Sequence, residues 1–259
     1  MTKFRYVHYE IIDAVAEITI DRPPVNAINL DLIEEVVARM RQAGEDNEAR
    51  AVILKSAHEK TFCAGLDMEV LKDATSLGMR KFLDKLYIAL YDAQYRLGKP
   101  SLAAVRGAAR AGGMTLAVSC DMIIAGQSAS FGYPEINVGL IPGLHFIHLP
   151  RIVGRHKAFE LLFSGEPFSA QTACEMGLLN KVVADDEVIP EARRQARLFA
   201  EKSPTIMAIG RAAFMRANDL DYRRGFENAA ETMSTLVETP DAKEGLAAFV
   251  EKRPPKWQE

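Results

Sequence analysis

Three short glycine-bearing segments hold the residues of this chain best suited to chemistry: Thr61-Phe-Cys-Ala-Gly-Leu-Asp67, the stretch from Val105 to Thr115 around Gly112-Gly113, and Phe131-Gly-Tyr-Pro-Glu135 running on to Pro142-Gly143. Glycine lets a backbone approach a ligand closely and aim its amide at it, so two such turns can present two N–H donors to one developing oxyanion. Each donor of that kind is worth about 2.7–4 kcal/mol in a transition state. Other signatures are missing: there is no phosphate loop, no Gly-x-Gly-x-x-Gly after a strand, no Gly-x-Ser-x-Gly and no paired cysteine motif. His145 and His148 sit three apart, but no carboxylate or third histidine stands near them in sequence, so no metal is expected.

Each glycine segment lies beside an expected strand. Val15–Ile20 and Ala51–Lys55 read as strands, and Asp31–Arg41 reads as a helix from the spacing of Leu32, Val36 and Met40, opened by Asp31 with Glu34 as its cap. A second helical pattern through Phe82, Leu86, Leu90, Ala93 and Leu97 stops at Gly98 and Pro100. Buried strands are expected at Ser101–Val105 and Met122–Ala125, with an apolar stretch, Met114–Cys120, between them. Consecutive helices follow at Val188–Lys202, Pro204–Ala217 and Tyr222–Val237, then one capped by Thr239 with Pro240 at its first position. The pattern predicts an α/β body over residues 1–187 and a helical subdomain over 188–259.

The chain has 259 residues, 48% hydrophobic and 26% charged, which is enough to bury a sizeable core. With 35 acidic and 32 basic residues the net charge is −3, a balance that does not favour nucleic acid. The clusters Arg193-Arg194 with Arg197, and Arg223-Arg224, read as solvated helix faces. Three cysteines, Cys63, Cys120 and Cys174, cannot all pair internally, and a reducing compartment follows. No segment approaches the roughly 18 consecutive apolar residues of a membrane span, so a cytoplasmic protein without membrane partners is expected.

Taken in order, Asp21-Arg-Pro-Pro-x-Asn-Ala, Phe-Cys-Ala-Gly-x-Asp, Ala-Gly-Gly before Cys120-Asp121, Phe-Gly-x-Pro-Glu, Ile-Pro-Gly, Ala173-Cys-Glu-Met-Gly-Leu-Leu-Asn180 and Phe249-Val-Glu-Lys-Arg-Pro resemble the enoyl-CoA hydratase/isomerase (crotonase) superfamily over nearly the whole chain. The resemblance implies a spiral of ββα units with a C-terminal helical trimerisation subdomain, assembled as a homotrimer or a dimer of trimers. It implies an acyl-CoA thioester as substrate, with no cofactor beyond the coenzyme A of that thioester. It also implies an oxyanion hole made by the backbone N–H groups of Leu66 and Gly112. Ala64, Gly65, Asp67, Gly113, Pro142 and Gly143 are the remaining substrate-contacting candidates, Asp67 having capping of the next helix as its default role. Lys252, with Arg253, stands either near the CoA phosphates or in a solvated basic end.

Hydratases of the superfamily use two glutamates, whereas here Glu135 matches the second and Thr115 stands at the first. A single partly shielded glutamate, its pKa raised, resembles the isomerases, which move a proton between the α- and γ-carbons of a 3-enoyl-CoA. Isomerisation is therefore the expected reaction. Hydration, with a histidine or a Thr-held water replacing the missing carboxylate, is the alternative, alongside a lyase or decarboxylase variant and a non-catalytic acyl-CoA-binding subunit. Thr115 can serve as a helix-terminal hydroxyl or position water, and His145 as an acid/base or as a satisfied helix-start histidine. Arg110, in place of an apolar residue, either pairs a substrate carboxylate or makes a structural ion pair.

Overall fold

A computed structural model describes residues 4–72, 75–218 and 222–256. The strands are β1 (Val7–Ile12), β2 (Val15–Ile20), β3 (Ala51–Ser56), β4 (Thr61–Cys63), β5 (Ser101–Val105), β6 (Ala108–Arg110), β7 (Met122–Gly126), β8 (Ser130–Gly132), β9 (Phe168–Ser169) and β10 (Lys181–Val183). Six of them form one sheet in the order β1-β2-β3-β5-β7-β10, antiparallel only between β1 and β2. Four short ones form a second sheet, β4-β6-β8-β9. The pairs β3/β4, β5/β6 and β7/β8 each give one strand to each sheet before the chain moves on, which is the winding of a ββα spiral.

The helices are α1 (Leu30–Glu45), α2 (Met68–Lys72), α3 (Ser76–Leu83), α4 (Leu90–Tyr95), α5 (Gly112–Ser119), α6 (His145–Val153), α7 (Arg155–Ser164), α8 (Ala170–Glu175), α9 (Val188–Ala200), α10 (Pro204–Asn218), α11 (Tyr222–Leu236) and α12 (Pro240–Val250). A π-helical turn over Asp84–Ala89 joins α3 to α4, so the expected single helix is one rod with a widened middle. The first helix starts earlier than its periodicity suggests. Asn29, not Asp31, is its cap, with Oδ1 accepting from the Leu32 N–H at 2.9 Å. At the other end of the chain, Thr239 caps α12 and Pro240 opens it, as expected.

The main core lies between the sheets and helices α1, α3, α4, α5 and α11, with Ile18, Ile28, Leu32, Phe62, Met114 and Phe131 wholly buried. A smaller cluster fills the other face of the large sheet, where α9 lays Val188, Ala192 and Ala196 on Val15, Ile53 and Leu102. This face holds a correction. Arg193 does not lie in a solvated row, because its guanidinium grips the fully buried Glu17 at 2.5 and 2.9 Å. Arg194 and Arg197 pair with Glu191 and Asp13 at the surface, and the Arg223 and Arg224 side chains fall outside the described ones. All three cysteines are free. Among the described residues no helix is long and apolar enough to cross a membrane.

Candidate active site

The segment Asp21 to Ala27 fixes the first glycine loop. Asn26 takes a left-handed φ of 53°, and its buried Nδ2 donates to Ser56 Oγ at 2.8 Å and to the Phe62 carbonyl at 3.0 Å. Ile28 then pairs with Leu66 in a single parallel bridge: the Ile28 N–H donates to Gly65 O, and the Asp67 N–H to Ile28 O. This register turns the Leu66 N–H to the opposite side, away from any backbone acceptor among the described residues. Gly65 makes the bend at a φ of 103°.

The second donor comes from the turn into α5. Ala111 is held at a φ of 49° and a ψ of −116°, a conformation costly for a residue with a Cβ, and its N–H donates to Gly132 O at 3.1 Å. Gly112 follows as the first residue of α5, where helix geometry leaves its N–H without an intrahelical acceptor. The two loops are pressed together. A Cβ on Gly113 would lie 2.3 Å from the Cys63 carbonyl oxygen, and one on Gly112 would lie 3.2 Å from the Leu66 side chain. Leu66 and Gly112 are thus neighbours with unused amides, the arrangement an oxyanion needs.

Glu135 lies in a short 3-10 turn, Pro134–Val138, and is 9% exposed. Its Oε2 has no partner among the described residues and no cation faces it. Burial therefore pushes its pKa up to about 8. The buried phenols Tyr87 and Tyr133 share these surroundings, and both are shifted upward by burial and then by the Glu135 charge. The periodicity had not singled out Tyr133, although its place between Gly132 and Pro134 in the third segment was the available signal.

Thr115 and His145, which are distant in sequence, meet here. Thr115 Oγ1 and His145 Nε2 are 3.3 Å apart, both side chains are buried, and the His145 ring packs on Tyr133 with centroids 4.6 Å apart. Burial, and then His148, lowers the His145 pKa well below its ordinary value, so the ring stays neutral. His148 is lowered to about 4 by burial and Arg151. Tyr87, Thr115, Leu144 and His148 all border one cavity of about 210 Å³.

Asp67 is paired with Arg22 at 2.6 Å and accepts from the Glu69 N–H, contacts that order the loop carrying Leu66. Ala64 is exposed on the same loop. Gly143 packs against Ala229, and with Pro142 it leads into the turn that carries His145. Lys252 is exposed beyond α12 and does not border the cavity, while Arg253 is tied to Glu244. Arg110 makes no ion pair among the described residues: its guanidinium donates to the Ser130 carbonyl at 2.6 Å and to Ser130 Oγ at 2.9 Å.

The sequence profile of the enoyl-CoA hydratase/isomerase family matches residues 10–259. A protein of Bacillus subtilis named probable enoyl-CoA hydratase is 37% identical over 251 residues, covering 94% of this chain and 95% of its own. The short-chain-enoyl-CoA hydratase of Clostridium acetobutylicum is 35% identical over 241 residues, covering 92% of each. The crystal structure of an enoyl-CoA hydratase/isomerase from Xanthobacter autotrophicus Py2 superposes with a TM-score of 0.87 at 30% identity, over 99% of this chain and 100% of that one.

Proposed function

Because the chain belongs to the enoyl-CoA hydratase/isomerase family, we propose that it adds water across the double bond of a 2-enoyl-CoA thioester. The observation that carries this is the buried Glu135, whose Oε2 has no partner among the described residues, together with a hydrogen-bonded Thr115–His145 pair in place of a second carboxylate. Isomerisation needs only the glutamate and leaves that pair without a task. The names of the relatives, hydratases in both cases above, support the same choice.

In this reading the Leu66 and Gly112 N–H groups hold the thioester oxygen as the carbonyl becomes an enolate. Water attacks the β-carbon while hydrogen bonds to Thr115 Oγ1 and the neutral His145 hold it. With its pKa near 8, Glu135 starts as the acid. One oxygen gives its proton to the α-carbon, the other takes the proton released by water, and the residue ends protonated as it began. This reading asks for no cofactor beyond the coenzyme A of the thioester.

We also propose a homotrimer or a dimer of trimers. The stacked and partly exposed Phe146, Phe159 and Phe163, with Ile206, Ile209 and Phe214 on α10, are apolar surface suited to burial between copies. Sedimentation velocity checks this, and a monomer at micromolar concentration contradicts it.

The reaction is tested by incubating the protein with 2-enoyl- and 3-enoyl-CoAs in deuterated water and following the products by mass spectrometry. Gain of the elements of water by a 2-enoyl-CoA is expected. Migration of the double bond in a 3-enoyl-CoA with deuterium uptake, and no hydration, returns the reaction to the isomerisation expected from a single glutamate. No change in any thioester leaves a binding subunit.

A further inference from the structure

Of the residues assigned to hydration, Thr115 borders the 210 Å³ cavity. Its apolar lining includes Leu86, Leu90, Tyr91, Val118 and Phe226. Two of these are rings that meet edge to face: the Tyr91 and Phe226 centroids are 4.8 Å apart at 86°. Polar side chains complete the lining at Gln94, Ser119 and Asp121. Asp121 is already answered by Arg211 at 2.9 and 3.0 Å and by the Ser101 N–H at 2.8 Å. Gln94 is not. Its amide oxygen accepts from Ser101 Oγ at 3.1 Å, but its NH₂ group reaches only Ser119 Oγ at 3.4 Å, Cys120 Sγ at 3.5 Å and Met40 Sδ at 3.8 Å. These acceptors are long or soft, and the residue is 2% exposed.

Resting on the hydration reading, we propose that the acyl group of the substrate ends in an aryl ring carrying an oxygen on the edge that faces Gln94. An apolar cavity of about 150 Å³ takes one benzene molecule, so this one has room for a ring with a small substituent. Tyr91 and Phe226 give that ring an aromatic wall to pack on, a geometry that a flexible alkyl chain does not exploit. The amide of Gln94 gains a strong acceptor in the ring oxygen, and an unsubstituted chain would leave it as poorly partnered as before.

The test separates the cavity from the reaction by using thioesters that cannot turn over. Calorimetry is run with 3-(4-hydroxyphenyl)propanoyl-CoA, 3-phenylpropanoyl-CoA and hexanoyl-CoA. The hydroxylated ring is expected to bind at least tenfold more tightly than the hexanoyl chain. Gln94→Leu should erase the difference between the two rings, and Val118→Phe, which fills the cavity, should cut the ring-over-chain preference at least tenfold. Hexanoyl-CoA binding as tightly as either ring, or Val118→Phe weakening all three alike, overturns the proposal. Because none of these ligands carries a double bond, ring preference without hydration of any enoyl-CoA refutes the reaction alone, and hydration without ring preference refutes the cavity assignment alone.

Discussion

Two buried glutamates in this molecule meet opposite fates. Glu17, wholly buried under α9, lies against Lys55 and is clasped by Arg193 through two hydrogen bonds. Burial alone would raise its pKa, but the hydrogen bonds from Arg193 and Lys55 outweigh burial and hold it below the ordinary carboxylate value. Glu135 is buried as well but has two phenols and no cation, and it rises to about 8. Burial alone does not make a carboxyl a catalyst. At Glu135 the missing counter-charge leaves a group able to give and take a proton near neutrality.

The sharpest way to break this contrast is Glu135→Gln. It should lower kcat by about 10³-fold, within the range for general acid–base catalysis, while calorimetry shows CoA-thioester binding retained. Turnover near that of the parent would remove Glu135 from the reaction. Next in size is Gly113→Ala, whose Cβ would meet the Cys63 carbonyl oxygen at 2.3 Å and force the two donor loops apart. A loss of about 10²-fold in kcat/KM is expected, the worth of one oxyanion donor.

Glu17→Gln tests the other member. Lys55 and Arg193 retain some exposure, so the loss is smaller than for a fully buried pair, about 2 kcal/mol in urea unfolding, with kcat per folded molecule unchanged. An unchanged urea midpoint would show the triad to be dispensable.

The pH dependence of stability separates the two residues further. Native Glu135 keeps a proton that the unfolded chain releases above about 4.5, so stability should fall from there to about pH 8, by at most about 1.4 kcal/mol per pH unit. Glu17 has the opposite sign: its stabilisation is present above about 4.5 and is lost as pH falls through its lowered native value. Glu135→Gln should flatten the alkaline slope and Glu17→Gln the acid one, and an alkaline slope that survives Glu135→Gln assigns it to another group. The smallest effect is expected of His145→Gln, about tenfold in kcat with KM little changed, since it removes one of two hydrogen bonds to the attacking water. A change confined to KM would place His145 in binding instead.

Much of this was readable in the residues. β2 and β5 fall where alternation and apolar runs placed them, and the Leu66 and Gly112 loops lie against each other. The small sheet was invisible because its strands have two or three residues, too few to show a period. Arg193 was misread for a different reason. A helix face looks solvated when its partner, Glu17, lies in a strand far away in sequence, and spacing along one element carries no information about the layer beneath it. The Thr115–His145 contact and the isolation of Glu135 are likewise properties of the packing.

The seam between Cys63 and Gly113 has a further meaning for how the molecule is made. One amide belongs to the first turn of the spiral and the other to the second, and neither loop alone encloses an oxygen. A chain interrupted before α5, or one whose second turn has not docked, has a donor but no hole. In the proposed reading thioester affinity would report completion of the fold, and ligand should draw partly assembled molecules toward the closed form by mass action.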